Sequence, residues 1–404
     1  MRRVEKTEQS LPAEKGFDSW PSSPKVIVER GNGQRNMNAP RVGPRPLGVH
    51  LGLASSRWLG DRGGVAMARD RFATLTLGIE AYWAHPYRRA IPERPVLWQA
   101  GTTRLLDFAP AGAPPAKRTA LLVPSLVNRA YILDLAPGRS LTAYLAARGI
   151  RPLVVDWGAP GEEERGFDLT GYVTHRLMPA FDAAAGLAGA RLDLIGYCMG
   201  GLLALPVALA RRDRCSSLTL LATPWDFHAE DPGWRQVLAA LEPVFGGVVE
   251  REGVLPVDLL QACFAVTQPT SVSEKYAAFA TLDPAGEDAL AFVQVEDWLN
   301  DGVPLAGPVA SECLFGWYGD NTPARGTWRI AGECVDPAAV SLPTLAFIPS
   351  RDKVVPPGSA RALAAAIPGA HTVAPRAGHV GMVAGRDGER QCWKPLADWL
   401  LAAA

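Results

Sequence analysis

The chain has 404 residues, enough to bury a large core, and its 41 basic residues are balanced by 41 acidic ones. With no net field to draw it to nucleic acid or to an anionic surface, neither is expected as its main partner. No run approaches the roughly 20 apolar residues that cross a bilayer and no secretory leader is recognisable, so no membrane span and a cytoplasmic location are expected.

Residues 1–62 are rich in Arg, Pro, Gly, Asn and Ser, as in Gly31-Asn-Gly-Gln-Arg-Asn-Met-Asn38. They offer little apolar area to offset the entropy of ordering, which predicts a disordered N-terminal arm. Residues 63–110 form an N-terminal helix and lead-in: Phe72, Leu75, Ile79 and Tyr82 recur at helical spacing between Val65 and Trp83, with Pro86 just beyond. Core packing is the ordinary use of such a stripe, and a membrane or granule surface is the sharper one.

From here strands and helices alternate. Leu121–Val123, Pro152–Val155, Ala190–Ile195, Leu218–Ala222, Thr344–Ile348 and His371–Val373 are short Leu/Val/Ile-rich runs without polar alternation. That pattern predicts a mostly parallel sheet with helices on both faces, an α/β fold whose catalytic domain spans 111–223 and 342–404. The stretch 224–341 interrupts the alternation, carries Trp225, Trp234, Trp298 and Trp317, and is read as an inserted cap.

The chemistry centres on Cys198, in Gly196-Tyr-Cys-Met-Gly-Gly201, after one apolar run and before another that can open as a helix. This is a nucleophile elbow with cysteine in the serine position: the flanking glycines admit the tight strand-to-helix turn that lifts the nucleophile clear of the sheet. An elbow thiol needs a base to take its proton and a carboxylate to orient that base. Asp352 follows the strand ending at Ile348, and His379 follows the last strand in Ala-Gly-His-Val-Gly. The order Cys, Asp, His is the α/β-hydrolase order. His50 in the arm, His175 on a helix, His228 at the start of the cap and His371 in a strand are read as packing or surface residues. The oxyanion hole is assigned to the backbone N–H of Met199 and to one from the loop after Val123; Pro124 has no N–H, which leaves Leu126 or Val127, with Val127 taken.

Cysteine suits one kind of substrate best. A thioester passed to a thiol keeps its transfer potential, whereas a serine ester would discard it, so an acyl-CoA donor and an alcohol acceptor fit this nucleophile. The other five cysteines (215, 263, 313, 334 and 392) form no CxxC pair and no His-Cys cluster at zinc-ligand spacing; no metal is expected, and the thiols are read as reduced. No GxGxxG or GxxxxGK[ST] loop follows an early strand, so no nucleotide cofactor is expected.

Over roughly residues 110 to 400 the sequence resembles polyhydroxyalkanoate synthases of the α/β-hydrolase superfamily. The resemblance is carried by Leu126-Val-Asn-Arg-Ala-Tyr-Ile-Leu-Asp-Leu135 with Pro137-Gly-Arg-Ser140, by Asp156-Trp-Gly158, by the Cys198 box and by Trp225-Asp-Phe227. It continues through Asp320-Asn321, Gly326, Gly332, Val335-Asp336 and Pro343 into Ser350-Arg-Asp-Lys-Val-Val-Pro356. The resemblance implies that Cys198 carries a growing chain, Asp352 orients His379, and His379 activates the thiol or an incoming 3-hydroxyl. It also implies an (R)-3-hydroxyacyl-CoA substrate, CoA release without a further cofactor, a homodimer, and association with polyester granules. A long folded N-terminal domain is not evident, so the chain resembles the short form that works with a partner subunit. Two other readings of the same residues are a cysteine-dependent hydrolase acting on thioesters, lactones or polyester, and a silent granule-binding scaffold.

Overall fold

The computed structural model describes residues 41–402 apart from 61–63, 91, 190, 231–233 and 268–270. Its centre is an eight-stranded sheet: β1 (Val96–Ala100), β2 (Thr103–Asp107), β3 (Arg118–Val123), β4 (Ile150–Asp156), β5 (Leu192–Tyr197), β6 (Cys215–Leu221), β7 (Thr344–Phe347) and β8 (His371–Val373). In space the order is β1-β2-β4-β3-β5-β6-β7-β8. The six strands from β4 to β8 in that order pair in parallel, while β1 and β2 are antiparallel to each other and β2 to β4.

The apolar runs fold this way because both faces of the sheet are covered. Leu121 and Val123 enter one core cluster and Ala120 and Leu122 the other, as period-two geometry requires. The first cluster is closed by α4 (Met178–Ala188) and α5 (Met199–Ala210), after α3 (Leu141–Ala147), which packs in the second beside the C-terminal helix Lys394–Ala402. Asp193 lies at the middle of this sheet, fully buried, where Arg118 from β3 donates to both of its oxygens (3.0 and 2.6 Å) and Ser217 from β6 donates its hydroxyl. One carboxylate thereby ties three adjacent strands together.

Two expectations for the N-terminal region are corrected. Residues 1–40 lie outside the described residues, but 41–60 belong to the folded body: α1 (Leu47–Gly60) packs with α2 (Gly64–Ala84). Composition misleads here because a few anchors suffice. Arg41 pairs with Asp297 at 2.6 Å and donates to the carbonyls of Tyr82 and His85, while Trp58, Ala54 and His50 are buried. Likewise, 96–107 of the lead-in form the β1–β2 hairpin, turning at Gly101 with φ 51°. On α2, Leu75, Ile79 and Tyr82 are buried against Tyr276, Phe279 and Val293, whereas Phe72 is exposed.

Between β6 and β7 the chain leaves the sheet for α6 (Trp234–Glu252), α7 (Val257–Thr267), α8 (Ser271–Phe279) and α9 (Glu287–Leu299), and returns through Glu312–Gly319. Among the described residues no helix is long and apolar enough to cross a membrane.

Replacing Arg118 by Met keeps the aliphatic volume but strands the Asp193 charge. Urea unfolding is expected to show a loss of about 3 kcal/mol; a loss under about 1 kcal/mol would mean that the pair does not hold the strands.

Candidate active site

The site forms where β5 hands over to α5. Cys198 is the residue between them and has φ 56° and ψ −130°, a left-handed backbone that a side-chain-bearing residue adopts only when its surroundings impose it. Here they do. The Cys198 N–H is held by the Leu221 carbonyl at 2.8 Å, and its own carbonyl accepts from Gly201 at 3.0 Å. A Cβ on Gly200 would stand 2.0 Å from the Val123 carbonyl oxygen, one on Gly196 2.3 Å from the Gly201 Cα, and one on Gly201 1.9 Å from Thr223 Oγ1. Gly196 and Gly200 are therefore demanded by close backbone approach, and Gly201 by the Thr223 side chain. The result is a half-buried thiol at the head of a helix, in contact with both core clusters.

Asp352 and His379 arrive from the loops after β7 and β8. Asp352 Oδ2 lies 2.7 Å from His379 Nδ1, and both side chains are buried. Asp352 Oδ1 accepts the N–H groups of Val354 and Val355, each at 2.8 Å, so the carboxylate is fixed before the imidazole meets it. With Nδ1 engaged, Nε2 is left for Cys198, to which the ring also hydrogen-bonds. Burial by itself would lower the basicity of His379. It is outweighed by a negative charge on Cys198 and by the hydrogen bonds to Asp352 and Cys198, which push the imidazole up to about 10.

Structure and sequence reading part at the oxyanion side. Met199 is the first residue of α5, where helix N–H groups have no intrahelical acceptor. Val127, in contrast, directs its N–H to Ser125 Oγ at 3.3 Å within its own turn, while its carbonyl accepts from Val303. Two other histidines are engaged elsewhere than at Asp352: His50 is not in a free arm but buried on α1 with Nε2 3.0 Å from the Arg45 carbonyl, and His228 Nε2 meets the Tyr318 carbonyl at 3.0 Å. Among the described residues no group of three His, Cys, Asp or Glu side chains is placed to hold a metal ion.

The two ends of the excursion between β6 and β7 are tied to each other and to the helix that follows β7. The Asn321 carboxamide accepts from the Phe227 N–H at 3.0 Å and donates to Asp226 at 2.8 Å, and Ser359 accepts from the Trp225 N–H. Phe227 stacks on Trp317 and meets Tyr318 edge-on. Tyr318 is held up in its un-ionised form by burial and then by the charge of Cys198, which marks it as a neighbour of the sulfur. Sequence reading did not find Tyr318 as a site residue, because nothing local relates position 318 to position 198.

With this geometry in view, the comparisons with known proteins are specific. Residues 137–385 match the alpha/beta hydrolase fold family. The chain belongs to that family. Within it the sequence is similar to poly(3-hydroxyalkanoate) polymerase subunit PhaC from three organisms. The Synechocystis sp. protein is 29% identical over 75% of this chain and 83% of its own length. That of Allochromatium vinosum is 27% identical over 72% of this chain and 83% of its own. That of Haloferax mediterranei is 26% identical over 75% of this chain, and there the chain spans 63% of the relative's length.

His379 keeps its proton to higher pH than a free imidazole, whose midpoint is near 6.5. The stabilisation linked to that proton is full below the unfolded value and is lost as pH rises through about 10. In Cys198→Ala the neighbouring charge is gone, so an NMR titration of the His379 ring protons should give a lower midpoint than in the parent chain. An unchanged or higher midpoint would show that sulfur and ring are not coupled.

Proposed function

We propose that the protein is a polyhydroxyalkanoate synthase: an acyltransferase that joins (R)-3-hydroxyacyl groups from CoA thioesters into polyester, with Cys198, His379 and Asp352 as its catalytic residues. The observation that carries this reading is a cysteine elbow beside a buried Asp352–His379 couple, in a chain similar to proteins named as poly(3-hydroxyalkanoate) polymerase subunits. In the first half-reaction His379 holds the proton while the Cys198 sulfur, as the thiolate, attacks the thioester carbonyl and the carbon–sulfur bond to CoA breaks. The departing CoA sulfur receives that proton. In the second, His379 takes the proton of a 3-hydroxyl, whose oxygen attacks the Cys198 thioester; an ester bond forms and the Cys198 sulfur leaves and is reprotonated.

Each attack places negative charge on a carbonyl oxygen beside the start of α5. The Met199 N–H is the donor assigned to it, at about 3 kcal/mol of barrier lowering for a well-aimed donor. The second donor is sought in the loop after Val123, and Val127 serves only if its N–H exchanges Ser125 Oγ for the substrate. The segment between β6 and β7 acts as the cap, with Phe227, Trp317 and Tyr318 limiting water at the thioester. That restriction, with the polymerase names of the relatives, favours transfer to an alcohol over the hydrolase alternative. No further cofactor is needed, since CoA is part of the substrate. The word subunit in the relatives' names supports a partner chain; the homodimer and a cytoplasmic site at the granule surface remain part of the same reading, in keeping with an insoluble product.

The test follows thiol release and polymer together. With 3-hydroxybutyryl-CoA, the chain, alone or with a partner subunit, should release CoA and deposit polyester, and Cys198→Ala should lower both by at least about 1,000-fold. CoA release that yields only free 3-hydroxybutyrate would make the protein a thioesterase.

A further inference from the structure

Tyr197, the last residue of β5, enters the sequence motif only as the letter before the nucleophile, yet both its ring and its hydroxyl meet the base. Its buried ring is stacked on the His379 imidazole, with centroids 5.1 Å apart and planes 27° from parallel. Its hydroxyl donates to the His379 carbonyl oxygen at 3.3 Å. Asp352 holds the imidazole at Nδ1, a bond in the plane of the ring that by itself does not fix that plane. The stacked phenol blocks that swing from the side, and the hydroxyl pins the main chain from which the ring hangs. Because successive residues of a strand face opposite sides, Tyr197 drops into the core cluster under the His379 loop while the left-handed turn at 198 raises the sulfur.

We infer that Tyr197 is a positioning residue: it fixes the plane of the His379 ring so that Nε2 stays on Cys198 while Nδ1 stays on Asp352. The inference rests on the proposed roles of these three residues. Its consequence is that nucleophile and base take their places from one strand end, one residue apart, rather than from two independently moving loops. A space-filling role would be met by any side chain of similar volume; this one requires a flat face.

Tyr197→Met keeps the volume without the face, and Tyr197→Phe keeps the face without the hydroxyl. The readouts are kcat and KM for 3-hydroxybutyryl-CoA and the far-downfield proton resonance of His379 Nδ1–H, which a short hydrogen bond to a carboxylate produces. The methionine variant should lose or broaden that resonance and lose about 30-fold in kcat with little change in KM, while tyrosine and phenylalanine stay within about threefold of each other. A methionine variant with resonance and kcat intact overturns the inference. If that variant does not fold, phenylalanine decides: a loss of more than about tenfold in kcat with the resonance intact overturns the stacking role. The resonance needs no substrate, so it tests the positioning even if no acyl-CoA is turned over; failure of the synthase reading would appear instead as absent CoA release beside a normal resonance.

Discussion

Everything at the site follows from how closely α5 is drawn down onto the ends of β3 and β5. That approach puts the backbone of Gly200 against the Val123 carbonyl and forces position 198 into a left-handed turn. Strain at one residue is tolerated because its own backbone is held on both sides, the Cys198 N–H by Leu221 of β6 and its carbonyl by Gly201. A serine or a cysteine would be lifted equally by such a turn. The choice of sulfur is chemical: it allows an acyl group to be held without losing the free energy needed for the next bond.

Burial sets the electrical state of the groups proposed to be catalytic, and the protein handles buried charge by pairing it. Asp193 shows the structural form of this rule, with its charge met by Arg118 and a hydroxyl within the sheet. Asp352 shows the functional form: two backbone donors hold one oxygen, and the other is kept for His379. The imidazole lies between this carboxylate and the sulfur, and the nearby charge outweighs the burial that would otherwise strip its proton. A proton relay between thiol, leaving group and incoming hydroxyl needs such a ring, basic and unable to turn away.

The amount of this legible in the sequence depended on how local the signal was. The inner strands announced themselves as short apolar runs because both faces are buried, and the box around Cys198 announced itself through glycines that pack backbone on backbone. Asp352 and His379 were readable from their loops after strands, and the structure brings their side chains to 2.7 Å. The β1–β2 hairpin was missed because its buried residues, Trp98, Thr103, Leu105 and Leu106, are interleaved with polar ones and make no strong apolar run. The helix Leu47–Gly60 was missed because composition averages over a segment, whereas docking depends on single residues such as Arg41 and Trp58. Tyr318 and the Asp226–Asn321 bond join positions about a hundred residues apart, a relation that only the folded excursion creates. The Val127 N–H was mis-aimed for a smaller reason: Ser125, two residues earlier, offers it a hydroxyl.

The central claim is that an acyl group rests on the sulfur of Cys198 between two transfers. It is tested most directly by mixing the parent chain briefly with one equivalent of 3-hydroxybutyryl-CoA, quenching in acid and locating the added mass by peptide mass spectrometry. One 3-hydroxybutyryl group on the peptide holding Cys198, removable by hydroxylamine, is the expected result. CoA released with the acyl group on another residue, or with Cys198 never modified, would contradict it.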